Sequence, residues 1–399
     1  MKRVLLLILA ILLPLAAGGC LKANTVDESG YVLAIGFDPG ETFAYRITFA
    51  VQKLSTESSE PRTDGFTLFS AEAENLFQAI ETVSGSAPYQ LSFVRTSLLI
   101  FDQKLLEEAG RLSAIMNTAM EQLRIRYNAN TFVALDGAKK VLEGLNSQES
   151  TQSIDKLQEH FLAYARDTGL LPQVTFLMLH QGIRQPTSDV IVPLMGTNED
   201  IRQLGTADSV GSTDYAYLGG RTATQTLLQT GAAGSALMQA DRLVGILSGQ
   251  NTQLLMMATG EFEMGDIQFS LPDGSGIATI AVRMENAPKT ELVLAEPPTA
   301  CVKIRLEADL MHPEVLERIT NQELQTHLSQ LLEQRLQDVF LTCRRLGSDA
   351  FGFGKLAVKQ FKSVSEWETY DWKAHFERME ARFEVDVVMQ DYANRTLFQ

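Results

Sequence analysis

Thr320-Asn-Gln-Glu-Leu-Gln-Thr-His-Leu-Ser-Gln-Leu-Leu-Glu-Gln-Arg-Leu-Gln-Asp-Val-Phe-Leu-Thr-Cys-Arg-Arg-Leu-Gly347 decides which kind of fold this chain adopts. Thr320 and Glu323 have capping-box spacing, in which each side chain satisfies a backbone N–H at a helix start. Leu324, Leu328, Leu331, Leu332, Leu336, Val339, Phe340 and Cys343 then recur at helical spacing as one apolar stripe. Arg344 and Arg345 fall in the last turn, where cations suit the dipole, and Gly347 follows as a stop. The pattern predicts one helix from Asn321 to Leu346, roughly 39 Å long. A stripe of that length needs a broad apolar surface opposite it. The expectation is a core helix packed on a sheet.

The flanking sequence supplies strands. Upstream, Glu261–Leu271 and Gly276–Glu285 read as strands with Gly274-Ser-Gly276 as the turn between them, and Ala287-Pro288 and Glu296-Pro297-Pro298 bracket one more. Downstream, Ser348-Asp-Ala-Phe-Gly-Phe-Gly354 reads as a turn, Lys355–Phe361 as a strand, and Trp367 and Trp372 as large apolar burial. Nearer the N-terminus, Tyr31–Ile35, stopped by Gly36, and Phe43–Leu54 form a hairpin around Asp38-Pro39-Gly40. Ser55–Gly65 is a polar loop. Ser70, Glu72 and Glu74 read as the start of a helix that carries Leu76, Ile80 and Val83 and ends at Gly85. Leu91–Phe101 follows as a strand, Leu105–Leu123 as a helix, Asn130–Leu135 as a strand, and Gly137–Leu145 and Asp155–Arg166 as helices. Val190-Ile-Val192 is strand-like and closed by Pro193. Gly196–Gly231 is a long polar excursion near a domain boundary, and order returns over Gly234–Gly245. Strands and helices mix without regular alternation, which points to α+β.

The first twenty residues set the compartment. Lys2 and Arg3 precede an apolar run from Val4 to Leu13, and Ala16-Ala-Gly-Gly19 leads to Cys20. That order of regions is a secretory signal peptide, and Cys directly after small residues resembles a bacterial lipobox. The run is too short to span a bilayer, which needs roughly 20 apolar residues. Cys20 is the expected site of lipidation, through S-diacylglycerol and N-acyl groups, and residues 1–19 the removed signal. The mature chain is then anchored to the membrane by lipid.

Removing residues 1–19 takes away Lys2 and Arg3 and no acid, so the net charge moves from −15 to −17. Nucleic-acid binding needs a basic footprint and is excluded as a class. The same balance disfavours attraction of the whole protein to anionic headgroups, which leaves the lipid to hold it. Cys301 opens a strand-like run and Cys343 lies on the helix stripe. Two separate buried thiols are expected, although spacing alone leaves a disulfide open.

No catalytic constellation emerges. His160, His180, His312, His327 and His375 lack paired metal-ligand spacing, and there is no Gly-x-Ser-x-Gly, P-loop or Gly-x-Gly-x-x-Gly. Ser153-Ile-Asp-Lys156 matches the Ser-x-x-Lys of penicillin-recognising enzymes, but the companion motifs are missing. The expectation is a binding or assembly module with no catalytic residue, no metal and no cofactor.

Ser348-Asp-Ala-Phe-Gly-Phe-Gly354 after the long helix, followed by Glu366-Trp-Glu-Thr-Tyr-Asp-Trp-Lys373, resembles the Ger(x)C family, the lipoprotein C subunits of nutrient germinant receptors in endospore-forming bacteria. Val32-Leu-Ala-Ile-Gly-Phe-Asp38 is similar to the family's opening strand. Leu76–Val83, Ser92–Phe101 with Glu108-Ala-Gly110, Ile125-Arg-Tyr-Asn128 and Asp241-Arg-Leu-Val-Gly245 match in order. The chain departs from the pattern at Val94-Arg95, just before Ile125 and around Gln390-Asp391. The resemblance implies three α+β domains, each a mixed β-sheet flanked by helices, over residues 20–190, 191–290 and 291–399, with the long amphipathic helix in the last. It implies a non-enzymatic receptor subunit working beside a multi-spanning A subunit and a transporter-like B subunit, on the outer face of the spore inner membrane. A substrate-binding lipoprotein of a transporter is the alternative.

Overall fold

The computed structural model describes residues 29–53, 66–88, 90–146, 154–197, 230–311 and 313–389. The expected loop at 55–65 and most of the 196–231 excursion lie outside these residues. So does Cys20.

The first half of the fold is one mixed sheet. β1 (Ser29–Pro39) and β2 (Tyr45–Lys53) form the expected antiparallel hairpin, and β3 (Thr67–Ala73) adds to β2. Gly36 does not stop β1. It sits within the strand because helix α4 crosses there, and a Cβ would come 3.0 Å from Leu142 Cδ1 and 3.1 Å from Ala138 Cβ. The expected helix start at Ser70–Glu74 is instead the end of β3: Ser70 and Glu72 are cross-strand partners of Thr48 and Arg46. Helix α1 (Leu76–Ser84) starts later, capped by Asn75, and ends as expected at Gly85.

Leu91–Phe101 divides into β4 (Gln90–Ser92) and β5 (Leu98–Asp102), both parallel to β1. Leu105–Leu123 likewise divides, into α2 (Gln103–Leu106) and α3 (Arg111–Gln122), because Gly110 at φ +87° breaks the helix between them. β6 (Asn130–Ala134), α4 (Ala138–Leu145) and α5 (Ile154–Thr168) follow as expected, then a short unforeseen helix α6 (Phe176–Gly182). β7 (Ile191–Thr197) runs through Pro193, tolerated where the register with β8 shifts. β8 (Thr230–Gln239) and β9 (Arg242–Leu247) complete the order β3-β2-β1-β5-β6-β7-β8-β9, with β4 beside β1. β1, β5, β6 and β7 are mutually parallel. Helices cover both faces: α1, α3 and α6 pack on one side around Phe37, Phe49 and Phe101, while α4 and α5 pack on the other around Ile100 and Phe132.

The second sheet holds β10 (Met264–Ser270), β11 (Ile277–Met284), β12 (Lys289–Val293), β13 (Thr299–Leu310) and β14 (Glu380–Met389). Helix α7 (Gly249–Thr259) precedes it. Leu254, Leu255, Met256 and Met257 are all buried, so this helix has no polar face and left no amphipathic period to read. The predicted long helix is α8 (Asn321–Arg345), with the Thr320–Glu323 capping box formed and Gly347 at φ +67° just beyond. It lies on this sheet with Leu324, Leu328, Leu332, Leu336, Val339, Phe340 and Cys343 buried, each large apolar side chain contributing about 1.5–3 kcal/mol.

The expected strand at Lys355–Phe361 is helical: α9 (Phe353–Ala357) runs into a 3-10 turn over Val358–Gln360. Two short helices follow, α10 (Val364–Tyr370) and α11 (Trp372–Phe376). The α+β class holds, with sheets flanked by helices. Where the resemblance implied a sheet in each of three domains, the described residues form two sheets, with β7–β9 joining the first and β10–β11 the second. Short strands do not encode their neighbours, so this pairing had no signal in sequence.

Cys301 and Cys343 are both free thiols. β13 alternates, with Ala300, Val302 and Ile304 buried in the core that holds Cys343. Cys301 therefore points to the opposite face, where it is half-buried rather than buried.

Candidate functional site at the junction of the two sheets

The stretch after α8 joins the two halves. Gly347 turns the chain in the left-handed region, and its carbonyl accepts from Gln239 Nε2 at 3.0 Å. Ser348 is fully buried and donates from Oγ to the Met238 carbonyl at 2.6 Å. Asp349 N donates to Asp189 Oδ2 at 2.9 Å, and Asp189 N donates to the Asp349 carbonyl at 3.1 Å. Asp189 Oδ1 accepts in turn from Ala240 N at 2.8 Å, in the β8–β9 hairpin.

The Asp349 carboxylate is the centre. Oδ1 accepts from Phe353 N at 3.0 Å, and Oδ2 accepts from Gly354 N at 2.7 Å and Trp372 Nε1 at 3.0 Å. The first two bonds explain why α9 is a helix, since Asp349 satisfies its opening amides. Gly354 is needed for space: a Cβ there would meet the Thr187 carbonyl and lie 2.6 Å from Trp372 Nε1. Burial pushes the carboxyl up to about 6, with the nearby Asp189 adding to the rise and the three donors opposing it. Around it, Phe340 contacts Phe351, Phe353, Phe376 and Phe383 at centroid distances of 5.8–6.3 Å, and Trp367 stacks on Trp372. The donors are aimed inward at a buried carboxylate. This is a buried polar lock between two sheets, with no open face for a substrate.

The other motifs singled out in the sequence are also clamps. Asp38 accepts from Ala138 N at 2.6 Å and Lys139 N at 2.9 Å, so the Gly36-Phe-Asp38 pattern docks α4 onto β1. Asp241 Oδ2 accepts from Gly110 N at 2.9 Å, joining the β8–β9 hairpin to the start of α3. Gly245 leaves room for Leu346, whose Cδ1 would lie 2.6 Å from a Cβ.

A polar cleft of about 320 Å³ opens at the carboxyl ends of β1, β5 and β6, bounded by Asp38, Asp102, Arg46 and Lys104. Burial raises the carboxyl values of Asp38 and Asp102, while backbone donors oppose the rise. Both carboxylates are already committed as helix caps, and Arg46 is paired with Glu41 and Glu72. Asp102 lies close enough to Asp38 to add to the rise there.

The described histidines stand apart: His327 is bonded to the Ser270 carbonyl at 3.0 Å and His375 to Glu296 at 3.0 Å, while burial, then Arg184, lowers His180. Among the described residues no group of three or more His, Cys, Asp or Glu could hold a metal ion. Nor is any described helix long and apolar enough to cross a membrane. Ser153 and His312 lie outside the described residues. Gly274-Ser-Gly276 is the turn between β10 and β11, as expected.

Two family models match the chain. Residues 22–197 match the spore germination protein N-terminal domain, and residues 233–392 match the spore germination B3/GerAC-like C-terminal domain. No curated protein matches. Among solved structures, the crystal structure of the GerBC protein aligns with a TM-score of 0.50 and 13% identity, over 90% of this chain and 97% of that one, a likeness of fold. With most of its length covered by the two models, the chain belongs to the Ger(x)C family of spore germination proteins.

Proposed function

We propose that the chain is the lipid-anchored, non-enzymatic C subunit of a nutrient germinant receptor. What carries this reading is the pair of germination-family matches at 22–197 and 233–392, directly after a lipobox-like stretch ending at Cys20. The motifs that mark the resemblance are internal clamps around Asp349, Asp38 and Asp241, which suits a rigid assembly part more than a catalyst. Lipid on Cys20 would hold the protein on the outer face of the spore inner membrane, beside the membrane-embedded A and B subunits, where it supports assembly or signalling after a nutrient binds. The three-part division at 190 and 290 belongs to the same proposal, with the middle part, 191–290, giving strands to both sheets.

The test is nutrient-triggered germination of spores carrying a full deletion or Cys20→Ala. Loss of response to at least one nutrient in the deletion, with a defect in Cys20→Ala, is the expected result. Normal germination of the deletion under every nutrient, or tight binding of a free amino acid or sugar by the purified chain, would overturn it.

A further inference from the structure

The chain is acidic as a whole, yet one surface is not. Val94 and Arg95 lie in the turn before β5, Arg124-Ile-Arg-Tyr127 leads into β6, and Leu177 and Met178 open α6. These segments are tied together: Arg126 Nε donates to the Val94 carbonyl at 3.0 Å, and Leu177 N donates to the Tyr127 carbonyl at 3.1 Å. The Arg95 guanidinium lies 4.9 Å from the centre of the Tyr31 ring on β1.

The apolar side chains here are open, with Tyr127 62%, Met178 50%, Val94 43% and Leu177 36% exposed. Arg95, Arg124 and Arg126 are exposed too. Residues 92–97, 123–129 and 173–178 hold these arginines and no Asp or Glu.

The surface sits where the parallel strands begin. Ser29, the first residue of β1, lies in register with Gln90 of β4, four residues before Val94. Cys20 is nine residues before Ser29, a reach of at most about 32 Å. A chain tethered through Cys20 therefore brings this rim within reach of the membrane.

We propose that the rim rests on the bilayer surface, with Arg95, Arg124 and Arg126 on anionic headgroups and Tyr127, Leu177 and Met178 at the interface. Guanidinium matches phosphate geometry, and a ring with one polar end suits the headgroup level. The rest of the protein is repelled by the same lipids, so the attraction acts as an orienting force. The lipid supplies the affinity and the rim sets the pose. In that pose β1, β5 and β6 run away from the membrane, and the cleft at Asp38 and Asp102 faces outward. The inference rests on the Cys20-anchored reading.

The test is hydrogen–deuterium exchange of the full mature chain on phosphatidylglycerol vesicles and on phosphatidylcholine vesicles. To separate it from the anchoring question, the chain is also attached through an N-terminal histidine tag to nickel-chelating lipid, which needs no acylation. Exchange over 92–97, 123–129 and 173–178 should slow about tenfold on the anionic vesicles, but not on the neutral ones. The protection should vanish in the triple variant Arg95→Gln, Arg124→Gln, Arg126→Gln, whose melting temperature serves as the folding control. Equal exchange on both vesicle types overturns the proposal, as does protection that survives the triple variant. Protection seen only when the receptor's membrane subunits are present also overturns it, by making the rim a protein interface. Failure of acylation alone would show as loss of vesicle attachment in the untagged chain, with the tagged result unchanged.

Discussion

Gly354→Ala tests the polar lock at its tightest point. The added methyl would press on the Thr187 carbonyl from the first half and on Trp372, 2.6 Å from its Nε1. Trp372 cannot yield without weakening its bond to Asp349, which accepts from Gly354 N at 2.7 Å and Trp372 Nε1 at 3.0 Å. Overpacking costs about 1–3 kcal/mol, and losing one hydrogen bond to a charged acceptor about 1.5–3 kcal/mol. The sum, about 2.5–6 kcal/mol, is a large share of a typical folding stability of about 5–15 kcal/mol. Gly352→Ala is the control. Gly352 has φ +71° and only the flexible Lys355 side chain nearby, so it should lose only about 1–2 kcal/mol for left-handed backbone. Urea unfolding followed by Trp367 and Trp372 fluorescence measures both. If Gly354→Ala proves no more destabilising than Gly352→Ala, the steric argument for the lock is wrong.

Burial raises the Asp349 carboxyl from 3.8 to about 6, so the folded state holds a proton that the unfolded state has released, and stability falls as pH rises through that window. Asp349→Asn should remove about 3 kcal/mol of this pH dependence between about pH 4 and 7, and parallel unfolding profiles for the two proteins would refute the assignment. In a chain carrying Cys20→Ala, an aromatic disulfide reagent should label half-buried Cys301 slowly and Cys343 only on unfolding, since burial raises both thiols. A Cys301–Cys343 disulfide found by mass spectrometry would contradict their placement on opposite faces of β13.

By itself the sequence determined what depends on near neighbours. The capping box, stripe and stop of α8 lie within one contiguous stretch, and local rules were enough to place it within a residue at its end. The hairpin of β1 and β2 and the α+β class were legible for the same reason. So was the family, because its motifs are short and ordered along the chain. Tertiary structure decided what depends on distant partners. Asp349 looked like part of a turn, and only Asp189, 160 residues away, and Trp372 make it the centre of a lock. Lys355–Phe361 reads as a strand until Asp349 caps it as a helix. Gly36 reads as a strand stop, Gly245 as the end of a motif and Gly354 as part of a turn, yet each is small because another element crosses there. Net charge is a sum over the whole chain, whereas a surface is a selection from it. The basic rim formed by residues near 95, 126 and 177 therefore had no trace in the overall balance. It exists only because the fold sets those three segments side by side.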